Sequence, residues 1–527
     1  MAKIESLDSL WDFKFSETEL ALEEIVFDSK QPVPGCFDAS GEHRYRRGIG
    51  YYRRTVRCGG LVRLTIGALG LRAGIYWDAK PIRRTQRAYS REVLIFDSGA
   101  AGEHELLIAV DNRYDEAPSS LFRRDYDFYG YGGIYRSVTL EELPKDFIES
   151  VQVIPEDIAE GTVRVKINSA AEHCKVAFDG GAWVDCAPVM RVPDFKLWSP
   201  DSPNLHRMAV DNGSDRTEVV FGLRRADVRD GCFCLNGKPL KIFGVNRHNA
   251  YPGFGAAVPL EKLEQDLRMI KEAGFNTIRG SHYPQSEEML TLCDRLGLLV
   301  WEESLGWGDQ AEALTNPVFI SEQCEQTRQM VQKSINHPSV VIWGFLNEAE
   351  TKDSRARQIV SALVRTIRAE DTSRLISYAT MFRGKDVCMD LVDIAAYNTY
   401  PGWGGTANLF FDPAVVERDF EELMGITPPE KPFLISEIGA GALIGTHHRR
   451  RWSEEYQAEL LACVFEYVRK NPRCSGVIVW QFCDTETDNN IRVLERPRGF
   501  NNKGIVDEYR RPKLAWLQLE AMLKASE

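Results

Sequence analysis

The sequence predicts two β-sandwich domains followed by a closed (β/α)8 barrel, and three observations carry this reading. The chain has 527 residues, beyond the ~250–300 at which a single core stops growing. Its first part, up to about residue 230, consists of short alternating or apolar runs separated by Gly, Asp and Asn, the pattern of antiparallel sandwiches. From about residue 231 onward, strand-like runs alternate with amphipathic helical stretches, the pattern of a (β/α) repeat.

In order along the chain, the first group of strands is expected at 51–56, 61–66, 93–96, 105–110 and 135–140. The Pro144-Lys145-Asp146 break separates these from a second group at 148–154, 162–167, 174–178 and 208–211. Domains are therefore expected at 1–145, 146–230 and 231–527. Eight barrel strands are expected at 241–245, 277–280, 298–302, 340–346, 375–378, 394–397, 433–436 and 477–480. Helical stretches such as 260–273, 286–296, 320–336, 354–370 and 454–470 lie between them, with Gly274 and Gly297 where helix C-terminal glycines belong.

Hydrophobic residues make up 43% and charged residues 27% of the chain, a globular composition. The net charge of −12 supplies no basic excess for nucleic acid or an anionic membrane, although an anionic small substrate needs only one or two local cations. Residues 1–15 lack a cationic segment followed by an apolar run, so no signal peptide is read. The densest apolar run, 340–346, is far too short for a membrane span. A cytoplasmic location is expected. The 12 cysteines are scattered singly, which suits buried thiols in a reducing compartment. Cys232 and Cys234 are unaccompanied, and neither metal nor cofactor is expected.

In a barrel of this kind the site forms at the carboxyl ends of the strands. There the sequence places Arg247-His248, Arg279, Ser281-His282-Tyr283, Glu302-Glu303, Asn347-Glu348, Asn398, Tyr400, Glu437 and Trp480-Gln481. Glu348 and Glu437 each follow an apolar run, on strands that face one another across the rim. A carboxylate in such a position is poorly solvated unless it faces a cavity. Two convergent carboxylates without a set of metal ligands fit glycoside hydrolysis, one acting as acid and the other attacking the anomeric carbon or activating water. Trp301, Trp307, Trp403 and Trp480 offer aromatic faces to a sugar ring.

These residues carry a family resemblance. The run from Asn336-His337-Pro338-Ser339 through Asn347-Glu348, together with Ser281-His282-Tyr283-Pro284 and Ser436-Glu437-Ile438-Gly439, resembles glycoside hydrolase family 2, and Tyr126-Asp127-Phe128 through Tyr135-Arg136 resembles a recurrent stretch of its first domain. The resemblance implies a jelly-roll sugar-binding-like domain, an immunoglobulin-like sandwich and a catalytic TIM barrel, in that order. It also implies a retaining double displacement with Glu348 as acid/base and Glu437 as nucleophile, their carboxyl groups ~5–5.5 Å apart. Asn347 would hold the sugar 2-hydroxyl, Arg279 and Tyr400 would keep Glu437 ionised, and Asp127 and His282 match positions that touch sugar hydroxyls.

Phe500-Asn501-Asn502-Lys503-Gly504 resembles the Asn-x-Lys motif by which β-glucuronidases of this family grip the sugar carboxylate, so Asn501 and Lys503 are the expected contacts. An ammonium and an amide suit an anionic oxygen better than a neutral hydroxymethyl group. Arg492 resembles a further carboxylate-facing element, with Arg496, Pro497 and Arg498 as an insertion that leaves open whether Arg492 or Arg498 faces the sugar. Where β-glucuronidases commonly place another Tyr, this chain has Gly404, a loss that enlarges the pocket and admits the C4 epimer. The expected activity is exo-hydrolysis of terminal β-linked glucuronic or galacturonic acid. A strict β-galacturonidase and a β-galactosidase acting on a neutral sugar are the alternatives, and a carbohydrate-binding protein without catalysis is a remote one. The expected partner is a small-molecule β-uronide, with neither nucleic acid nor membrane. A homo-oligomer is compatible with the family, but no sequence feature fixes a symmetry. The run His447-His448-Arg449-Arg450-Arg451 is expected to form a solvated rim bordering the leaving-group side.

Overall fold

The computed structural model describes residues 4–171, 173–404, 408–488 and 492–525. Two leading β-sandwiches precede a barrel. In the first sandwich, a four-stranded sheet that includes Leu61–Ile66, Glu92–Asp97 and Val138–Glu142 packs on a six-stranded sheet that includes Ser9–Ser16, Ile49–Cys58, Arg72–Trp77 and Gly102–Asp111. Trp11, Phe13, Val62, Leu64, Ile75 and Ile108 fill the space between them. The expected strand at 135–140 is split into Gly133–Ile134 and Val138–Glu142. Tyr135 and Arg136 leave the ladder because their side chains are used elsewhere: Arg136 donates to the carbonyls of Tyr89 and, on the barrel, Pro284.

The second sandwich pairs Ile148–Asp157 with Thr162–Ser169 and, in its other sheet, Lys175–Phe178 with His206–Asp211. A hairpin, Ala226–Arg229 with Cys232–Leu235, then precedes the first barrel strand. Its Phe233 and Leu235 join Trp301, Ile342, Leu434 and Ile478 in the barrel interior, closing the end opposite the carboxyl rim.

The parallel barrel strands are Ile242–Asn246, Thr277–Gly280, Leu299–Glu303, Val340–Gly344, a broken fifth strand of Leu375–Ser377 and Ala379–Thr380, Ala395–Asn398, Phe433–Ile438 and Cys474–Val479. The first pairs with the last, which closes the ring. The fourth strand stops at Gly344 rather than at 346, since Leu346 and Glu348 adopt positive φ of 48° and 52°. The helices start and stop where local chemistry dictates. Asn316 and Ser453 accept hydrogen bonds from the first turns of Pro317–Ser334 and Glu454–Lys470, and Gly297 ends Glu287–Leu296 at φ 70°. Among the described residues no helix is long and apolar enough to cross a membrane, and the twelve cysteines are free thiols.

Candidate active site

A cavity of 410 Å³ sits at the carboxyl rim, and its walls include Glu348, Asn398, Tyr400, Glu437, Trp480 and Lys503. Two local distortions aim the carboxylates into it. Glu348 lies in the left-handed backbone region, its amide donating to Ala379 O at 2.9 Å. Such a conformation disfavours side chains other than Gly and persists only where surroundings enforce it. Glu437 lies within the seventh strand, where register shifts against both neighbouring strands turn its side chain inward.

A continuous hydrogen-bond relay joins the two acids. Arg279 Nη1 donates to Glu437 Oε1 at 2.8 Å, Arg279 Nη2 to Asn347 Oδ1 at 2.8 Å, and Asn398 Nδ2 both to Asn347 Oδ1 at 2.9 Å and to Glu348 Oε1 at 3.0 Å. Tyr400 Oη donates to Glu437 Oε2 at 2.7 Å. Asn347 is fully buried, and its Nδ2 has no acceptor among the described residues.

Burial raises both acids. It pushes Glu437 up to about 8, with Glu348 adding to the rise against the pull of Arg279, and it pushes Glu348 above the ordinary carboxylate range. Arg279 and Tyr400 pull Glu437 down, and burial outweighs them. The charge of Glu348 opposes ionisation of Glu437 in the cavity that both line. The two donors on Glu437 act in favour of its charged form.

The neighbouring groups are fixed by pairing. His282 Nδ1 is 2.9 Å from Glu303 Oε2, and Arg279 Nε donates to Glu303 Oε1 at 2.6 Å. Burial lowers His282 to about 4, so the ring is neutral. An Nδ1–H donating to Glu303 leaves Nε2 as an acceptor, 3.7 Å from Glu437 and without a hydrogen-bond partner among the described residues. Trp480 stacks on His282 at 5.2 Å and 9°.

Several rim residues turn away. Arg247 is committed to Asp266 at 2.8 Å, Glu302 to Lys333 at 3.3 Å, and Trp301 points into the barrel under Arg279, 4.8 Å from ring to guanidinium. Trp307, Trp403 and Trp480 line the cavity; Trp301 does not.

The end of the cavity beside Tyr400 is cationic. Lys503 is buried, its ammonium 5.7 Å from the centre of the Tyr400 ring, with no hydrogen-bond acceptor among the described residues. Burial, and then the neighbouring Arg496, bring it down to about 7. Asn501 does not line the cavity: its Nδ2 donates to Asp127 Oδ2 at 3.0 Å and its Oδ1 accepts from the Lys503 amide at 3.4 Å. The amide is used in holding the loop. Arg492 lines the cavity, whereas Arg498 points away, pairing with Glu508 at 2.8 Å. Arg496, which the sequence offered only as part of an insertion, lines the cavity and grips Asp127, with Nε to Oδ1 at 2.9 Å. Arg451, from the run 447–451, also reaches the wall, where it lies 4.1 Å over the Trp403 ring. Gly404 lines the cavity, and among the described residues a Cβ there would meet ordinary contacts with Tyr400 alone.

Comparison with known proteins adds to this geometry. Residues 226–525 match the family described as glycosyl hydrolases family 2, TIM barrel domain. The β-glucuronidase of Mus musculus is 29% identical over 427 residues, covering 75% of this chain and 64% of that protein. A β-galactosidase of Thermoanaerobacterium thermosulfurigenes is 33% identical over 428 residues, covering 74% of this chain and 56% of that protein. The chain thus matches less than two thirds of the length of either. A solved β-galacturonidase of Eisenbergiella tayi, bound to galacturonate, superposes with a TM-score of 0.91 at 31% identity and covers 99% of this chain and 97% of that one.

Proposed function

The chain belongs to glycoside hydrolase family 2, and from that premise we propose that it is a retaining exo-glycosidase that removes terminal β-linked hexuronic acid. Glu348 protonates the departing oxygen while Glu437 attacks the anomeric carbon, and a glycosyl ester forms on Glu437. Forming the ester neutralises Glu437 and so removes a negative charge from the cavity that Glu348 shares. Glu348 then gives up its proton more readily and serves as base toward the incoming water. Asn347, through its unpartnered Nδ2, meets the 2-hydroxyl, and Nε2 of His282 accepts a hydrogen bond from a hydroxyl of the same ring. These contacts strengthen as charge develops on the ring.

One observation supports the uronate over a neutral sugar: Lys503, 8% exposed, lines the cavity beside a second cation, Arg496. A sugar carboxylate completes that site, whereas a hydroxymethyl group leaves the charge buried and unpaired. Gly404 and the likeness to a β-galacturonidase favour room for the axial C4 hydroxyl, so galacturonide is the first substrate to try. The second reading, a β-galactosidase, is favoured by the 33% identical relative. Hydrolysis of nitrophenyl β-galacturonide, β-glucuronide and β-galactoside by the purified protein separates them; turnover of the galactoside equal to or above that of the uronides overturns the uronidase reading. We assign the chain to the domains 1–145, 146–230 and 231–527 and place the protein in the cytoplasm, acting on a soluble glycoside.

A further inference from the structure

A second cavity, of 220 Å³, adjoins the first and shares with it Trp307, Glu348, Met381 and Arg492. Glu437 lines only the first cavity, so the two spaces meet at the acid and diverge from the nucleophile. Protonation requires the departing oxygen to touch Glu348 while the sugar carbon faces Glu437. With the uronate in the first cavity, the departing group extends into the second.

We propose that this second cavity binds the leaving group and that the leaving group is itself a sugar ring, so that the substrate is a disaccharide or longer chain ending in a uronate. The proposal rests on the uronidase reading given above. Its chemical class follows from the walls. Trp307 contributes an aromatic face, and Met381, 49% exposed, contributes an apolar edge. Glu350 and Lys352 also line it, paired at 3.2 Å with their side chains 25% and 47% exposed, and Lys352 lies 5.0 Å over the Phe382 ring. An apolar leaving group would strip water from this carboxylate and ammonium and return nothing for it. A pyranose meets both demands: its C–H face lies on an aromatic ring, and its hydroxyls accept from Lys352 and donate to Glu350.

The test compares kcat/KM for a methyl β-uronide and for a disaccharide with the same uronate in the same linkage. Both leaving groups are alkyl alcohols that depart with proton assistance, and the change in the ratio between wild type and variant cancels their difference in basicity. The wild type is expected to favour the disaccharide by about tenfold or more, and Lys352→Ala to lower the disaccharide-to-methyl ratio by about fivefold to tenfold, mainly through KM. Glu350→Gln is expected to lower the same ratio. A wild type that prefers the methyl uronide, or a ratio unmoved by Lys352→Ala, overturns the proposal. Hydrolysis of the methyl uronide without the disaccharide overturns it and leaves the uronidase reading standing; hydrolysis of neither overturns both.

Discussion

Arg496 and Asp127, residues of different domains, form a buried two-armed ion pair beside the proposed carboxylate site, Nε to Oδ1 at 2.9 Å, and Asn501 Nδ2 adds a third donor to Asp127 at 3.0 Å. The pair joins the first sandwich to the loop that carries Lys503. Removing one partner strands the other charge in a dry setting, at a cost of about 3–5 kcal/mol for buried pairs. Arg496→Ala is therefore expected to lower unfolding stability by an amount of that order and to raise KM for a uronide. Chemical denaturation together with kinetics checks both. An unchanged midpoint and an unchanged KM count against this role.

The pH dependence of selectivity follows from Lys503. Its pKa is lowered from the ordinary lysine value to about 7, chiefly by burial. The ammonium is thus fully present below that pH and lost above it, while the sugar carboxylate stays ionised throughout. The uronide-to-galactoside ratio of kcat/KM is expected to fall as pH rises from 6 to 9. Taking the ratio cancels the titration of Glu348 and Glu437, which both substrates share. A ratio that is flat or rises across this range contradicts the assignment.

Glu348 is expected to matter in proportion to leaving-group basicity. A dinitrophenolate departs without a proton, whereas an alkoxide needs one, and a positioned acid contributes about 10²–10⁴-fold. Glu348→Ala should therefore lose about 10²-fold or more beyond its loss on a dinitrophenyl uronide when assayed on a methyl uronide. Equal losses on the two substrates would show that Glu348 is not the proton donor.

Gly404→Tyr tests the basis of epimer choice. Among the described residues a Cβ at this position meets Tyr400 alone, at 3.5 and 3.7 Å. The added phenol narrows the cavity and supplies a donor, and the galacturonide-to-glucuronide ratio should fall by about tenfold, the scale of one discriminating contact. A ratio that does not move leaves C4 preference to the other walls.

The barrel and the two acids were legible because each rests on a local signal, an apolar run followed by a polar residue at the rim. Glu348 and Glu437 are of this kind, and so are the strand positions on which they sit. What stayed hidden depends on contacts far apart in sequence or on side-chain direction. The pair Arg496 and Asp127 spans 369 positions, and no periodicity announces it. Trp301 and Trp307 look alike as rim tryptophans, yet strand alternation turns the first into the barrel. Asn501 looks like a ligand contact by motif, yet its amide holds Asp127 and the Lys503 backbone instead. The raised pKa of Glu437 follows from enclosure, which composition does not encode.

The measurement that bears most directly on uronate recognition is the ratio of kcat/KM for a nitrophenyl β-uronide to that for the matching nitrophenyl β-galactoside, determined for the wild type and for Lys503→Ala. A charged contact in a dry pocket discriminates by about 10²-fold or more. The wild type is expected to favour the uronide, and Lys503→Ala to reduce the ratio by at least that factor while hydrolysis of the galactoside persists. A wild-type preference for the galactoside, or an equal loss on both substrates in Lys503→Ala, contradicts the assignment of Lys503 to the sugar carboxylate.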